Sequence, residues 1–448
     1  MNRMFCLLAG LAVLTTPVLA QDPVERGVRI GITYSPGVLP GLLVLSGPRS
    51  LVLDSARAIL ARDLDYSDEF EMITLPTGDS LSIGIGREAT SEVVAPSSLN
   101  EAFINYPLFA ALGADFAINV HEDVDQTVVA TLLDVRGARI QRQIRLTQTN
   151  PTDHDFRLEI HSAADEFVRA VVGTPGVAST RILFINRGRI YRTDSDGADT
   201  YAISPSDVEA MSPAWTPDGR EAAYMEFPGT LYRHDVRTGT RRVIVPTQEH
   251  QNFTPEYSPD GRSIAFSRAT SDGTHVYTYN LVDDCCLQRL TVGRLYDNLS
   301  PTFSPDGRRI AFVSTRSGIA QIYVMGADGT GQELFAPFDY GVTGSSNAPE
   351  WSPDGAYVAF HREIDRSPQI FVMETATRTV RQLTNLNRNS DPSWAPDSRH
   401  LAFVSERTGS RQVWIIDIRT GKVRQLTRLG EARLPSWSPR IIEQVPNN

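Results

Sequence analysis

Three histidines, His250, His275 and His361, draw attention first, because three imidazoles brought together can hold a metal ion. They fall in different repeat units, at the end of each unit formed by the connections between its second and third strands and between successive units. Scattered surface histidines are commoner than a complete ligand set, so a periplasmic metal enzyme built on His250, His275 and His361 is carried as an alternative and no metal ligand is assigned. Residues 194–199, Asp-Ser-Asp-Gly-Ala-Asp, imitate part of a calcium loop but sit where a hairpin turn is required. Residues 121–125, His-Glu-Asp-Val-Asp, read as a solvated strand end. There is no G-x-S-x-G nucleophile turn and no glycine-rich phosphate loop between a strand and a helix, so no catalytic residue and no cofactor are expected.

Charge and cysteine content narrow the classes further. The net charge is −10 over 448 residues, and a chain this acidic is a poor general nucleic-acid binder, because phosphate contacts need clustered Lys and Arg. Cys285 and Cys286 are neighbours and cannot staple distant parts of a fold; they read as two half-buried thiols on a strand. Arg3, the apolar run 4–15 and the small residues Val18 and Ala20 before Gln21 read as a secretory signal peptide cleaved after Ala20. No later segment approaches the ~20 apolar residues of a membrane span, so the mature chain is expected to be soluble and outside the cytoplasm.

The elements that would position any site come from a repeat. Ser/Thr-Pro-Asp-Gly, preceded by Pro-x-aromatic, recurs with its second proline at Pro217, Pro259, Pro305 and Pro353, then as Ala-Pro-Asp-Ser at Pro396 and as Ser-Pro at Pro439. The spacings are 42, 46, 48, 43 and 43 residues. Units of roughly 40–50 residues with strand patterns are propeller blades. Each unit reads as four strands, A to D: the Trp-Ser-Pro stretch as A, an Asp-Gly turn, an Ile-Ala-Phe strand B, an aromatic-bearing strand C and a short strand D. The aromatics Trp215, Tyr257, Phe303, Trp351, Trp394 and Trp437 of strand A, and Tyr191, Tyr232, Tyr277, Tyr323, Phe371 and Trp414 of strand C, are assigned to packing between blades rather than to a ligand cage. Residues 181–204 supply strands B, C and D without an A, and residues 434–442 supply an A without a sequel. Pairing 435–442 with 182–186 would close a six-bladed ring and remove two sheet edges.

Residues 27–172 have another rhythm. Strands are expected at 28–33, 42–45, 70–75, 116–120, 127–135 and 139–146, and helices at 49–65, 100–112 and 153–172, the last with Phe156, Ile160, Ala164, Phe167 and Val171 at helical spacing and Gly173 as C-cap. The fold class is therefore a small α/β N-terminal domain plus an all-β six-bladed β-propeller closed by the C-terminal strand. The expected boundaries are signal peptide 1–20, α/β domain 21–173, linker 174–179, propeller 180–442 and tail 443–448.

The repeat, the mature start at 22–32 (Asp-Pro-Val-Glu-Arg-Gly-Val-Arg-Ile-Gly-Ile), the junction 163–173 (Ala-Ala-Asp-Glu-Phe-Val-Arg-Ala-Val-Val-Gly) and the following 174–184 together resemble the TolB family, over nearly the whole chain. The resemblance implies a non-enzymatic periplasmic scaffold of the Tol–Pal system, linking the inner-membrane Tol complex to the peptidoglycan-associated lipoprotein Pal and supporting outer-membrane integrity and constriction at cell division. It further implies that the propeller binds Pal and that the N-terminal segment Asp22, Pro23, Val24, Glu25 and Arg26 engages TolA. A stand-alone peptide- or carbohydrate-binding propeller is the other alternative. From the residues themselves, Arg187, Arg268, Arg316, Arg362 and Arg407 recur just after strand B, and sixfold geometry would gather them into a basic rim that attracts an acidic partner.

Overall fold

The computed structural model describes residues 39–45, 50–74, 104–123, 125–148, 150–246, 250–336 and 344–441. The signal segment, the 28–33 strand, Asp22 to Arg26 and the 443–448 tail lie outside these residues. Among the described residues no helix is long and apolar enough to cross a membrane.

The first part is a five-stranded sheet built from β1 (Gly41–Val44), β2 (Glu71–Ile73), β3 (Phe116–Glu122), β4 (Val128–Asp134) and β5 (Arg139–Leu146), ordered β2-β1-β3-β4-β5. β1 pairs in parallel with β2 and β3, and β3, β4 and β5 form an antiparallel meander. Strand alternation sends Leu42, Ile118, Val120, Ala130 and Leu132 to one face. There they meet Leu53, Leu60 and Leu64 of α1 (Leu51–Tyr66) and Phe156, Ile160 and Phe167 of α3 (His154–Val172). Leu43, Ala117 and Leu133 go to the other face and pack on Tyr106 and Phe109 of α2 (Tyr106–Ala111). Asp153 caps α3 through the N–H of Asp155, and Gly173 ends it at φ 93°. α2 is shorter than the 100–112 expected: Asn105 accepts from the Leu108 N–H and Pro107 occupies the first turn, which together set the start. Residues 100–103 are not described.

The second part is six four-stranded antiparallel sheets around one axis. Strand A spans Ala210–Trp215, Asn252–Tyr257, Asn298–Phe303, Ser346–Trp351, Asn389–Trp394 and Ala432–Trp437 in successive blades. Each strand A touches the strand A of both neighbours, so the six line the axis. Strand A thus ends on its aromatic, and the Ser-Pro expected at its end belongs instead with Asp-Gly to the A–B turn. The chemistry of that turn is local. In the fourth blade Ser304 Oγ donates to Asp306 Oδ1 (2.5 Å) and accepts from Arg309 N (3.0 Å), Asp306 accepts from Arg308 N, and Gly307 takes φ 69°.

Every strand A also carries a bulge. Ser212, Thr254, Ser300, Ala348, Asp391 and Leu434, each directly before its proline, have φ between 47° and 56°, and the pairing with strand B shifts register there. The assignment of the aromatics to blade packing holds: Trp351 packs among Val313, Ile322 and Phe335 of the preceding blade, and Trp394 among Ile370 and Val372.

The ring closes as the sequence implies, with Ala432–Trp437 pairing antiparallel to Arg181–Asn186 from Ala432↔Asn186 to Trp437↔Ile182. The strand starts three residues and ends five residues earlier than the expected 435–442, and residues 438–441 turn onto the linker: Ser438 N donates to Arg181 O, and Arg440 donates to the carbonyls of Pro175 and Gly176. Residue 442 is not described. Cys285 and Cys286, expected as thiols, are joined in a disulfide. Adjacent strand residues normally point to opposite faces, and the left-handed backbone of Cys286 (φ 65°) breaks that alternation.

Candidate functional site

A propeller has two faces, and here the α/β domain occupies one of them. It docks on the face formed by A–B and C–D turns through charged groups. Arg399, in the A–B turn of the sixth blade, reaches Glu69 with Nη1, the Asp68 carbonyl with Nη2 (2.8 Å) and both oxygens of Asp417 (2.8 and 3.1 Å). Lys422 pairs with Asp68 (2.7 Å) and Arg419 with Glu69 (3.1 Å). In the first blade Asp194 and Asp196 receive Arg157 (3.1 and 2.8 Å), and Arg62 joins Asp196 (2.9 Å). The segment that imitates a calcium loop is therefore a C–D turn whose carboxylates hold arginines.

Two histidines are locked into this contact. Burial would discharge His161, but Asp63 (2.6 Å) and Asp194 (3.6 Å) outweigh it and push its pKa up to about 10. For His400 burial is likewise outweighed by Asp397 (2.6 Å), with Asp68 at 3.3 Å, and the pKa rises to about 9. Among the described residues, Asp63–His161–Asp196 and Asp68–His400–Asp417 are the groups spaced to ligate a metal. Both are already neutralised by the Arg and Lys side chains just named, so they are read as docking networks. His250, His275 and His361 form no such group. Sequence reasoning missed this network entirely, because its partners lie as far as 350 residues apart and leave no local signal.

The linker is fixed by one side chain. Asp165 accepts from Ala178 N (2.7 Å), Ser179 N (2.9 Å) and Ser179 Oγ (2.5 Å). Burial raises its pKa to about 6 in spite of these bonds.

Among the described residues, none of the α/β domain makes a hydrogen bond or ion pair with the opposite face, made by B–C and D–A connections. Phe227, Val292, Leu295, Leu386 and Leu429 all lie on it and are exposed, Leu295 at 97%. The five arginines expected there behave in two ways. Arg187 is exposed in a tight turn at φ 48°. The other four lie over the aromatic pair of their own blade: Arg268 over Phe266 and Tyr277, Arg316 over Phe312 and Tyr323, Arg362 over Phe360 and Phe371, Arg407 over Phe403 and Trp414, at 4.6–5.6 Å. Buried side chains at the start of strand A hold them: Asn252 accepts from Arg268, Asn298 from Arg316, Ser346 from Arg362 and Asn389 from Arg407. Each of these Arg residues stands two or four residues beyond the strand-B aromatic, on the same side of the chain, and its side chain turns back over that ring. Arg362 is buried, while Arg268, Arg316 and Arg407 keep part of their surface in solvent.

Two glutamates line the axis between these faces. Glu256 and Glu350 occupy the same position of strand A in the third and fifth blades. Burial raises both pKa values to about 8, and for Glu350 the charge of Glu256 adds to it, against hydrogen bonds from Trp394 N (2.9 Å) and Ser393 Oγ (3.2 Å).

Comparison with known proteins follows from this architecture. The family described as TolB beta propeller domain matches residues 168–337 and 340–443. The Tol-Pal system protein TolB of Alcanivorax borkumensis is 30% identical over 230 residues, 48% of this chain and 48% of that protein. The protein of the same name from Albidiferax ferrireducens is 29% identical over 253 residues, 54% of this chain and 53% of that protein. The chain thus spans about half the length of the curated relatives it matches. The crystal structure of TolB from Acinetobacter baumannii superposes with a TM-score of 0.71 at 21% identity, over 91% of this chain and 98% of that one, a likeness of fold.

Proposed function

Since this chain belongs to the TolB propeller family, we propose that it is a non-enzymatic adaptor of the Tol–Pal system. In this reading it is exported to the periplasm, where it links the inner-membrane Tol complex to the peptidoglycan-associated lipoprotein Pal and so supports envelope integrity and constriction at division. The observation that carries the reading is the asymmetry of the propeller. One face is consumed by the α/β domain through a buried ionic network, while the other presents exposed apolar side chains beside arginines held in fixed orientations. Long connections on a rigid scaffold are where binding usually resides, and guanidiniums already ordered by stacking lose little freedom when a carboxylate arrives.

Pal is accordingly assigned to the open face, with Arg187, Arg268, Arg316, Arg362 and Arg407 around its contact, and TolA to the segment Asp22, Pro23, Val24, Glu25 and Arg26. The test is calorimetric titration of the mature chain with Pal at two salt concentrations. Arg187→Glu changes an exposed charge. Arg316→Gln with Arg407→Gln removes two cations without setting a carboxylate against an aromatic face. Both variants should bind Pal more weakly, most visibly at low salt. Unchanged binding at both salt concentrations would place Pal elsewhere.

A further inference from the structure

Blade three has one residue more than blades five and six between its strand-C aromatic and the leucine that follows strand D: Tyr277 to Leu290, against Phe371 to Leu383 and Trp414 to Leu426. The three hairpins begin alike. Tyr277 faces Arg289 as Phe371 faces Gln382 and Trp414 faces Gln425, and the next pairs, Thr278↔Gln288, Val372↔Arg381 and Ile415↔Arg424, keep step. Then they part. Met373 faces Val380 and Ile416 faces Val423, and both valines are half-buried against the blade cores. In blade three the register shifts: Asn280 faces Cys285, and Tyr279 alone stands against both Cys286 and Leu287. The extra residue is thus held as a bulge in strand D. Leu287, the counterpart of the two valines, is left 43% exposed.

The turn itself is the regular one. Asn280 Oδ1 accepts from Val282 N (2.9 Å) and Asp283 N (3.0 Å), as Asp417 Oδ1 accepts from Arg419 N (2.8 Å) in blade six. Asp284 takes the left-handed φ (50°) that Arg378 (58°) and Gly421 (75°) take at the same place. Cys286, at φ 65°, has no counterpart in those two blades. That backbone is unfavourable for a residue with a Cβ. The bond to Cys285 requires it, because adjacent side chains share one side only where strand alternation is broken. The extra residue has a second place to go. A five-residue turn, 281–285, would set Cys286 opposite Asn280 and Leu287 opposite Tyr279, which is the pairing of blades five and six. The disulfide therefore selects between two registers of one hairpin. It is also open to attack: strand D is the outer strand of its blade, and Cys286, Leu287 and Gln288 are exposed along it.

We propose that Cys285–Cys286 is a site of reversible thiol–disulfide exchange with a dithiol, and that the exchange moves this hairpin between its two registers. A thiolate of the dithiol attacks the Cys286 sulfur. The Cys285–Cys286 bond breaks, a mixed disulfide forms, and Cys285 leaves as a thiolate that takes up a proton. The second thiol of the dithiol then displaces Cys286 in the same way, so the dithiol gives up two electrons and becomes a disulfide while the chain gains two thiols. The inference is independent of the adaptor reading and is tested on the chain alone. From Gln21 onward the chain holds no other cysteine, so alkylation counts this site. The folded chain is treated with a small excess of dithiothreitol; one portion is alkylated with iodoacetamide and weighed, and the other is followed by hydrogen exchange at single amides. Both cysteines should be alkylated, and slow exchange should pass from the Cys285 amide to the Cys286 amide as the residue facing Asn280 changes. Cys285→Ser with Cys286→Ser should show the reduced pattern without any reductant, and oxidised dithiothreitol should restore the original pattern in the parent alone. Alkylation that appears only after the chain is unfolded would overturn the exchange site. Two thiols released with an unchanged exchange pattern would overturn the register change.

Discussion

Closure of the ring by the last strand has a cost that can be worked from its contacts. Trp437 is buried, its Nε1 donates to Thr180 Oγ1 (2.7 Å), and its amide donates to Ser393 Oγ in the neighbouring blade (3.0 Å). Trp437→Ala empties that site at roughly 3–5 kcal/mol, the usual range for a buried aromatic. The lost indole bond adds little, because the Thr180 hydroxyl still donates to Val177 O. With roughly 2–4 °C of melting temperature per kcal/mol for a unit of this size, the variant should melt about 6–20 °C below the parent. Trp394→Ala, at the equivalent place in an internal blade with Nε1 on Glu350 O (3.1 Å), should cost a similar amount. Deleting residues 432–448 removes the same indole and also the ladder to Arg181–Asn186, leaving one strand edge of the first blade open. Its melting temperature, followed by circular dichroism, should therefore fall further than that of either single variant. A truncated chain that melts within about 2 °C of the parent would refute the idea that the ring depends on this strand.

Three further outcomes are expected. Arg399→Ala strands Asp417, which is fully buried, together with Glu69, and should destabilise the docked α/β domain by about 3–5 kcal/mol, seen as faster limited proteolysis between the domains; an unchanged cleavage rate would remove Arg399 from the docking account. Glu256 and Glu350 keep their protons up to about pH 8 in the folded chain, whereas an unfolded Glu releases its proton near 4.5, so the native state binds more protons and stability must fall as pH rises from about 4.5 through 8. Glu256→Gln with Glu350→Gln should flatten that part of the melting profile; the residual decline toward pH 9–10 belongs to His161 and His400, whose raised pKa values act in the same direction, and superimposable profiles for parent and variant would exclude the glutamates. Removing residues 21–27 should abolish TolA binding in a pull-down and leave Pal binding intact, and retention of both would reassign the TolA contact.

The six blades were legible because their signal is local. Ser304, Asp306 and Gly307 bond within a few residues of one another, so each turn writes its own chemistry into the sequence, and the spacing of the turns gives the blade count. The two unmatched ends foretold closure for the same reason, since a missing strand is visible as a gap in a repeat. The bulge in strand A was not legible: Ser212, Ala348 and Leu434 share no side-chain property that demands φ near 50°. The basic rim was half legible. Recurrence located Arg268, Arg316, Arg362 and Arg407, but their fold-back onto Phe and Tyr rings depends on side-chain direction in three dimensions, not on spacing to the next turn. Which face stays open was decided by the tertiary structure alone. Glu69 and Arg399, or His161 and Asp194, become partners only when two domains meet, and an ion pair between residues far apart in the chain leaves each of them looking, in sequence, like an ordinary solvated charge.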